Sequence, residues 1–245
     1  MKVKFFSPSY KRPEKSITQK NYPFIKLVVM ESEAEAYKSN GNDIVIVPDS
    51  AQGSVCRIKN YILDNLAEDA DCVIFFDDDC KGIYRWENQK KHKLESEELL
   101  EFAEQSAILC DDFGFKFWGV NCVSDKGAYR EHTPFATLNF IGGPFHAHLK
   151  NEIRYDEKLP LKEDYDMTLQ HIHKYNGCLR INYINYDVKQ AEQIGGCATY
   201  RNSKYEKEQF EALQKKWGGE IIKYDKVSKK GFDFNPIMKV PLRGV

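Results

Sequence analysis

Short apolar runs alternate with stretches of helical periodicity along the first part of the chain. Runs at 2–7, 24–30, 43–47 and 72–76 predict four strands. Between them, 31–39 predicts a short helix that stops at Asn40-Gly41, a helix-end signal. Ser54 predicts the cap of a further helix, which carries Val55, Ile58, Ile62, Leu63 and Leu66 at helical spacing. The run at 72–76, Cys-Val-Ile-Phe-Phe, is apolar on both faces. Strands of that kind, separated by amphipathic helices, predict an α/β fold with a mostly parallel central sheet flanked by helices. After the first strand, Pro8 and Pro13 force irregular backbone.

The second half is less regular. Helices are expected at 96–112, 162–175 and 206–217. Strands are expected at 116–123, 136–145 and 179–188, with Gly142-Gly143-Pro144 bending the second of these. The tail from Val227 reads as basic and irregular. No linker, repeat or low-complexity stretch divides the chain. One domain is therefore expected over 1–245, with a nucleotide-binding half at 1–80, an acceptor and catalytic half at 81–190, and a basic extension at 191–245.

Open α/β sheets bind ligands at the carboxyl ends of their strands. Here those ends are the Pro8–Pro13 loop, the Pro48–Gly53 loop and Asp77-Asp78-Asp79. Two unit charges about 4 Å apart interact by roughly 4 kcal/mol at an effective dielectric of about 20. Three adjacent carboxylates thus repel unless a cation joins them or one keeps its proton. All-oxygen ligands favour Mg2+ or Mn2+, commonly shared with substrate phosphates. The economical reading is a cation bridging Asp79, with Asp77, to a diphosphate. The competing reading is a solvated acidic turn in which Asp77 caps the next segment.

Composition narrows the partners. Thirty-six Lys and Arg oppose 37 Asp and Glu, a net charge of -1. That excludes nucleic-acid binding by bulk charge but leaves room for a local basic surface. Seven cysteines stand singly with no Cys-x-x-Cys pair, which argues against a disulfide scaffold or a structural zinc site and for a reducing compartment. No apolar run approaches the roughly 20 residues of a membrane helix, and no basic-then-apolar leader opens the chain. No membrane association is expected, and the location expected is cytoplasmic, in a host cell if the protein is phage-encoded.

The order of segments resembles the GT-A glycosyltransferases. Ser7-Pro8-Ser9-Tyr10-Lys11-Arg12-Pro13 follows the first strand, Cys56-Arg57-Ile58-Lys59-Asn60 lies on a helix, and the Asp triplet follows the fourth strand. The resemblance covers roughly 1–190. It implies that an Asp-x-Asp motif binds the metal and the diphosphate of a nucleotide sugar, a UDP-sugar first, with Asp78 also at the donor. It implies that Pro8, Ser9, Tyr10 and Arg12 hold base and ribose, Tyr10 offering a stacking face and Arg12 a planar donor fork. Arg57 and Asn60, three apart on one helix face, would face the donor nucleotide. Glu163-Asp164 resembles the acidic motif that opens the helix facing the donor sugar. Inverting members use such an acid as general base, which makes Asp164 the first choice and Glu163 the second. Alternatively these acids simply favour a helix N-terminus. Many GT-A enzymes add a histidine ligand after that helix, and here no histidine follows His173. His146 and His148 share a strand face and read as structural histidines, a metal or acceptor contact being the alternative. His171 and His173, two apart on a helix, make no metal pair.

The size, the Ser-x-x-Arg-Pro start, the Asp triplet, the Glu-Asp helix and Gly195-Gly196…Tyr200-Arg201-Asn202 are also similar to the TET-associated, phage-type glycosyltransferases. That resemblance implies transfer to hydroxymethylated bases in DNA. The lysines at 204, 207, 215, 216, 223, 226, 229, 230 and 239, with Arg243, would then meet phosphates, or form a solvated helix face interleaved with acids. The rival readings are a transferase acting on surface polysaccharide or lipid-linked glycan, a nucleotidyltransferase, and a non-catalytic nucleic-acid-binding module.

Overall fold

A computed structural model of the chain describes residues 1–14, 16–125, 127, 129, 132–189, 196–225 and 234–240. The first part follows the expected alternation: β1 (Val3–Pro8), α1 (Thr18–Asn21), β2 (Lys26–Met30), α2 (Ala34–Ser39), β3 (Ile44–Val47), α3 (Val55–Asn65) and β4 (Cys72–Phe76). The Ser54 hydroxyl accepts the Arg57 N–H at 3.2 Å and caps α3, as its position predicts. A hairpin follows, β5 (Cys80–Glu87) and β6 (Lys90–Lys93), then α4 (Ser96–Asp112), β7 (Phe117–Asn121), β8 (Phe135–Ala136), β9 (Phe145–Leu149), α5 (Glu163–Tyr175), β10 (Leu179–Val188), α6 (Ser203–Trp217), β11 (Ile222–Tyr224) and β12 (Pro236–Met238).

The main sheet has the order β3-β2-β1-β4-β9-β7-β10-β5-β6, with β8 pairing β10. It is parallel from β3 through β4, as the sequence implies. Beyond β4 it is mixed: β9 runs antiparallel to both β4 and β7, β7 and β10 are parallel, and β5 is antiparallel to β10. The strand expected at 136–145 is instead loop over most of its length: β8 ends at Ala136 against β10, and β9 starts only at Phe145, after Gly142-Gly143-Pro144, against β4 and β7. The β5–β6 hairpin escaped the sequence reading because Asn88 and Gln89 supply its positive-φ turn (46° and 65°) without a glycine.

β4 is buried on both faces, which explains its unbroken apolar run. Ile74 and Phe76 pack with Leu99, Ala103 and Trp118 on the α4 side. Val73 and Phe75 pack with Ile58 and Ile62 on the α3 side. A further cluster of Leu159, Leu169, Phe210, Leu213 and Ile222 fastens α6 and β11 against α5. All seven cysteines are free.

Candidate active site

The Asp triplet begins where β4 leaves the sheet, and its backbone is pinned from three sides. Asp77 N–H donates to the Pro144 carbonyl at 3.0 Å, and the Thr18 hydroxyl donates to the Asp77 carbonyl at 2.5 Å. The N–H groups of Ile17 and Thr18 donate to the Asp78 carbonyl, and Lys189 N–H donates to that of Asp79. The three side chains therefore meet different surroundings.

Asp78 is 4% exposed and fully engaged. Ser9 Oγ donates to its Oδ2 at 2.5 Å and Arg12 Nη1 to its Oδ1 at 2.7 Å. Because Ser9 gives its one proton to Asp78, the Tyr37 hydroxyl donates to Ser9 Oγ at 2.7 Å, while its oxygen accepts Arg12 N–H at 3.1 Å. Asp77 and Asp79 remain as oxygen donors at the strand end, Asp79 Oδ2 lying 4.0 Å from the same Arg12 Nη1. Burial pushes the Asp79 carboxyl up to about 7, the charges of Asp77 and Asp78 adding to it and Arg12 opposing. Burial also raises Asp77, against the pull of Lys59.

Across the rim, α5 opens with Glu163 and Asp164, which the fold brings opposite the triplet. Lys59 on α3 points its ammonium at them: Nζ lies 3.7 Å from Glu163 Oε1 and is 2% exposed. It sits over the rings of Tyr155 (5.2 Å) and Phe75 (5.9 Å). Burial pushes Glu163 up to about 7; Lys59 opposes this and Asp164 adds to it. Burial raises Asp164 as well. Asp164 Oδ1 accepts Tyr165 N–H at 2.9 Å, and Oδ2 accepts Gly143 N–H at 3.4 Å. A Cβ at position 143 would lie 3.6 Å from Glu163 Oε1, in ordinary contact, so this backbone passes close beside both acids.

Lys59 is the residue the sequence reading passed over. It falls on the buried stripe of α3 with Cys56 and Ile62, and a lysine at a core position of an amphipathic helix is the signal that marks it. Its neighbours are otherwise occupied. Arg57 pairs with Glu157 at 2.8 Å and donates to the Gln52 carbonyl at 3.2 Å. The Asn60 amide clamps the Tyr155 backbone, accepting its N–H at 2.7 Å and donating to its carbonyl at 2.9 Å. Pro8 ends β1, and Tyr10 beyond it is half-buried with the Lys11 ammonium over its ring at 4.9 Å. The Tyr10 carbonyl accepts Gly196 N–H at 3.1 Å. The segment starting at Gly196 therefore rests on the Arg12 loop, whereas Gly195 lies outside the described residues.

Glu206 on α6 is 2% exposed and ion-paired with Lys162 at 2.5 Å and Arg201 at 2.8 Å, which ties the C-terminal segment to the residue before Glu163. Lys204 and Lys207 pair with Glu208 and Glu211 along α6, as on a solvated helix face, whereas Lys216 pairs with Asp156 and with the buried Asp166 of α5, and Lys223 on β11 pairs with Glu220. Lys226, Lys229, Lys230 and Arg243 lie outside the described residues. His146, His148 and His171 are buried in an aromatic cluster with Phe117 and make no metal group; among the described residues no set of three or more His, Cys, Asp or Glu is arranged to hold an ion. A cavity of about 260 Å³ lies at the opposite end of the sheet, lined by Asp64, Val73, Leu149 and Arg154, and no expected site residue borders it. No helix among the described residues is long and apolar enough to cross a membrane.

An acid triplet thus follows β4 and is faced by an acid-led helix, as the resemblance to GT-A glycosyltransferases implies. The chain belongs to the TET-associated glycosyltransferase family, whose profile it matches over residues 3–196. Solved structures resemble it distantly. Staphylococcus aureus TarS 1–349 is 17% identical with a TM-score of 0.45, over 76% of this chain and 60% of that one. A197 from STIV is 15% identical with a TM-score of 0.41, over 80% of this chain and 89% of that one. Glucosyl-3-phosphoglycerate synthase from Mycobacterium tuberculosis, solved with Mg2+ and UDP, is 10% identical with a TM-score of 0.45, over 78% of this chain and 72% of that one. The chain thus spans about three-fifths of the TarS fragment. No curated protein sequence matches it.

Proposed function

We propose that the chain is a metal-dependent glycosyltransferase that moves a sugar from a nucleotide-diphosphate sugar, a UDP-sugar first, to the hydroxyl of a hydroxymethylated base in DNA. The observation that carries this reading is the excess of carboxylate at the rim. Asp77, Asp78, Asp79, Glu163 and Asp164 outnumber Lys59 and Arg12, and Asp78 is neutralised by its own lock. Family membership supplies the transfer chemistry, and the family's name is the support for DNA as acceptor.

Asp79 and Asp77 would hold Mg2+ or Mn2+. Their oxygens suit a hard cation, and two carboxylates leave room for diphosphate and water in its shell. When bound, the ion neutralises charge developing on the leaving diphosphate. Ser9 and Arg12 engage Asp78, which ties the loop from Pro8 to Arg12, where base and ribose would lie, to the triplet. Arg57 would reach the donor nucleotide only on leaving Glu157, and Asn60 would act on this side through its hold on Tyr155. Asp164 takes the proton of the acceptor hydroxyl, and adjacent Glu163 shares the charge with Lys59. A carboxyl raised by burial works nearer to neutral pH than an exposed one. A base inside a duplex cannot reach this recessed rim, so the target nucleotide is flipped out or single-stranded.

The test is a panel of nucleotide sugars offered with hydroxymethylated DNA, unmodified DNA and glycan acceptors, with Mn2+ or with chelator. The expected result is a one-sugar mass gain on hydroxymethylated DNA that the chelator abolishes. Transfer to glycan alone moves the acceptor, and pyrophosphate release from nucleoside triphosphates makes the protein a nucleotidyltransferase. Salt-dependent DNA binding with no turnover of any donor refutes the enzyme.

A further inference from the structure

Behind the rim lies a buried hydrogen-bond chain whose direction the donors and acceptors determine. The Gly143 carbonyl can only accept, so His146 donates Nδ1–H to it at 2.8 Å. Burial, with the charge of Lys59 adding to it, holds the ionisation of His146 well below the ordinary histidine range. The ring is therefore neutral and its Nε2 bare, and the Tyr155 hydroxyl donates to it at 2.6 Å. The Tyr155 oxygen then accepts Nε2–H of His148 at 2.9 Å, leaving His148 Nδ1 bare, and that atom is buried with no hydrogen-bond partner in the structure. Each ring is thus committed to one tautomer.

The chain ends on a segment that touches both halves of the site. Gly143 N–H donates to Asp164, the Gly143 carbonyl accepts from His146, and the next carbonyl, of Pro144, accepts Asp77 N–H. Tyr155 itself is fixed from outside the strand by the two-way clamp of Asn60. We infer that Tyr155 and His146 are positioning residues: their one-directional chain sets the Gly143–Pro144 segment, and so the spacing between the triplet and the acceptor-side acid. The inference rests on the reading of these acids as a transferase site, while the geometry it concerns can be measured without turnover.

The experiment compares the full chain with Tyr155→Phe, which removes the hydroxyl and keeps the ring against Lys59 and Phe75. Two readouts are taken. The first is amide hydrogen exchange at 142–146 and at the start of α5, expected to quicken about tenfold or more while exchange in β4 and β7 stays as in the parent. The second is steady-state kinetics, with kcat expected to fall on the order of 10- to 100-fold and KM for the nucleotide sugar unchanged. A second pair covers the case in which Tyr155→Phe fails to fold. His146→Asn retains an N–H in the place of Nδ1 and is expected to keep Gly143 protected; His146→Leu is not. Equal protection of Gly143 in every variant overturns the inference, as does a fall confined to KM. A parent protein that turns over no nucleotide sugar overturns the proposed function instead, and the exchange data still decide the positioning role.

Discussion

Replacing Lys59 by methionine removes a buried cation that faces Glu163 and Asp164 at the start of α5. At 3.7 Å from Glu163 and an effective dielectric of about 20, the pair is worth roughly 4.5 kcal/mol, an upper bound equivalent to about 3 pH units. Lys59 holds the Glu163 carboxyl down, so its removal lets Glu163 keep a proton to higher pH. The acid limb of the pH profile of kcat/KM should move alkaline by one to about three units. Stability should fall by about 3–5 kcal/mol at pH 8.5, where the acids must stay charged without their partner. At pH 5.5 the acids take up protons and the penalty should shrink to less than half. Urea denaturation at both pH values and a pH–rate profile measure all three effects. An acid limb within about half a unit of the parent, with one stability penalty at both pH values, would refute the assignment of Lys59 as the counter-charge of the site.

Asp79→Ala should abolish transfer and leave the thermal midpoint equal to or above the parent's, because it relieves repulsion with Asp77 and Asp78; full activity would remove the metal site. His171 provides a pH test. Burial lowers its ionisation to about 4, below the unfolded value of about 6.5, so the unfolded state binds more protons as pH drops through that window and wild-type stability is lost there. His171→Phe removes this loss: by urea denaturation its stability relative to the parent should rise by about 2 kcal/mol between pH 7.5 and pH 5, and a flat difference would contradict the buried neutral ring. Glu206→Gln strands Lys162 in the interior and should cost about 3–5 kcal/mol, whereas Lys162→Met combined with Glu206→Leu should recover most of it. Double-mutant analysis of denaturation midpoints checks the pair.

What could be read in advance followed from local pattern. The run at 72–76 had to be buried on both faces, and the acids after it had to emerge where the strand leaves the sheet; both hold, as does the acid-led start of α5. Arg12 is expected as a donor fork on the loop at base and ribose, yet the structure engages that fork with Asp78, a pairing across 66 residues that no local signal carries. Lys59 was hidden for a related reason. In Arg57-Ile58-Lys59-Asn60 the eye goes to the pair three apart, whereas the position on the apolar stripe decides which side chain is driven inward. The mixed half of the sheet was illegible because β9 enters between β4 and β7 from a distant part of the chain, and the alternation that marks a strand says nothing about its neighbours.

The reversed strand β9 has a consequence for biosynthesis. Its first residue, Phe145, registers with Phe76, the last of β4, so the floor between the two acid groups closes when the ribosome has moved well past the triplet. The β5–β6 hairpin then waits for β10, its partner in the main sheet, at 179–188. A nascent or stalled chain that ends before β10 therefore displays three clustered aspartates beside an unpaired sheet edge, which makes premature termination a route to chaperone capture or aggregation and not to a partially active enzyme.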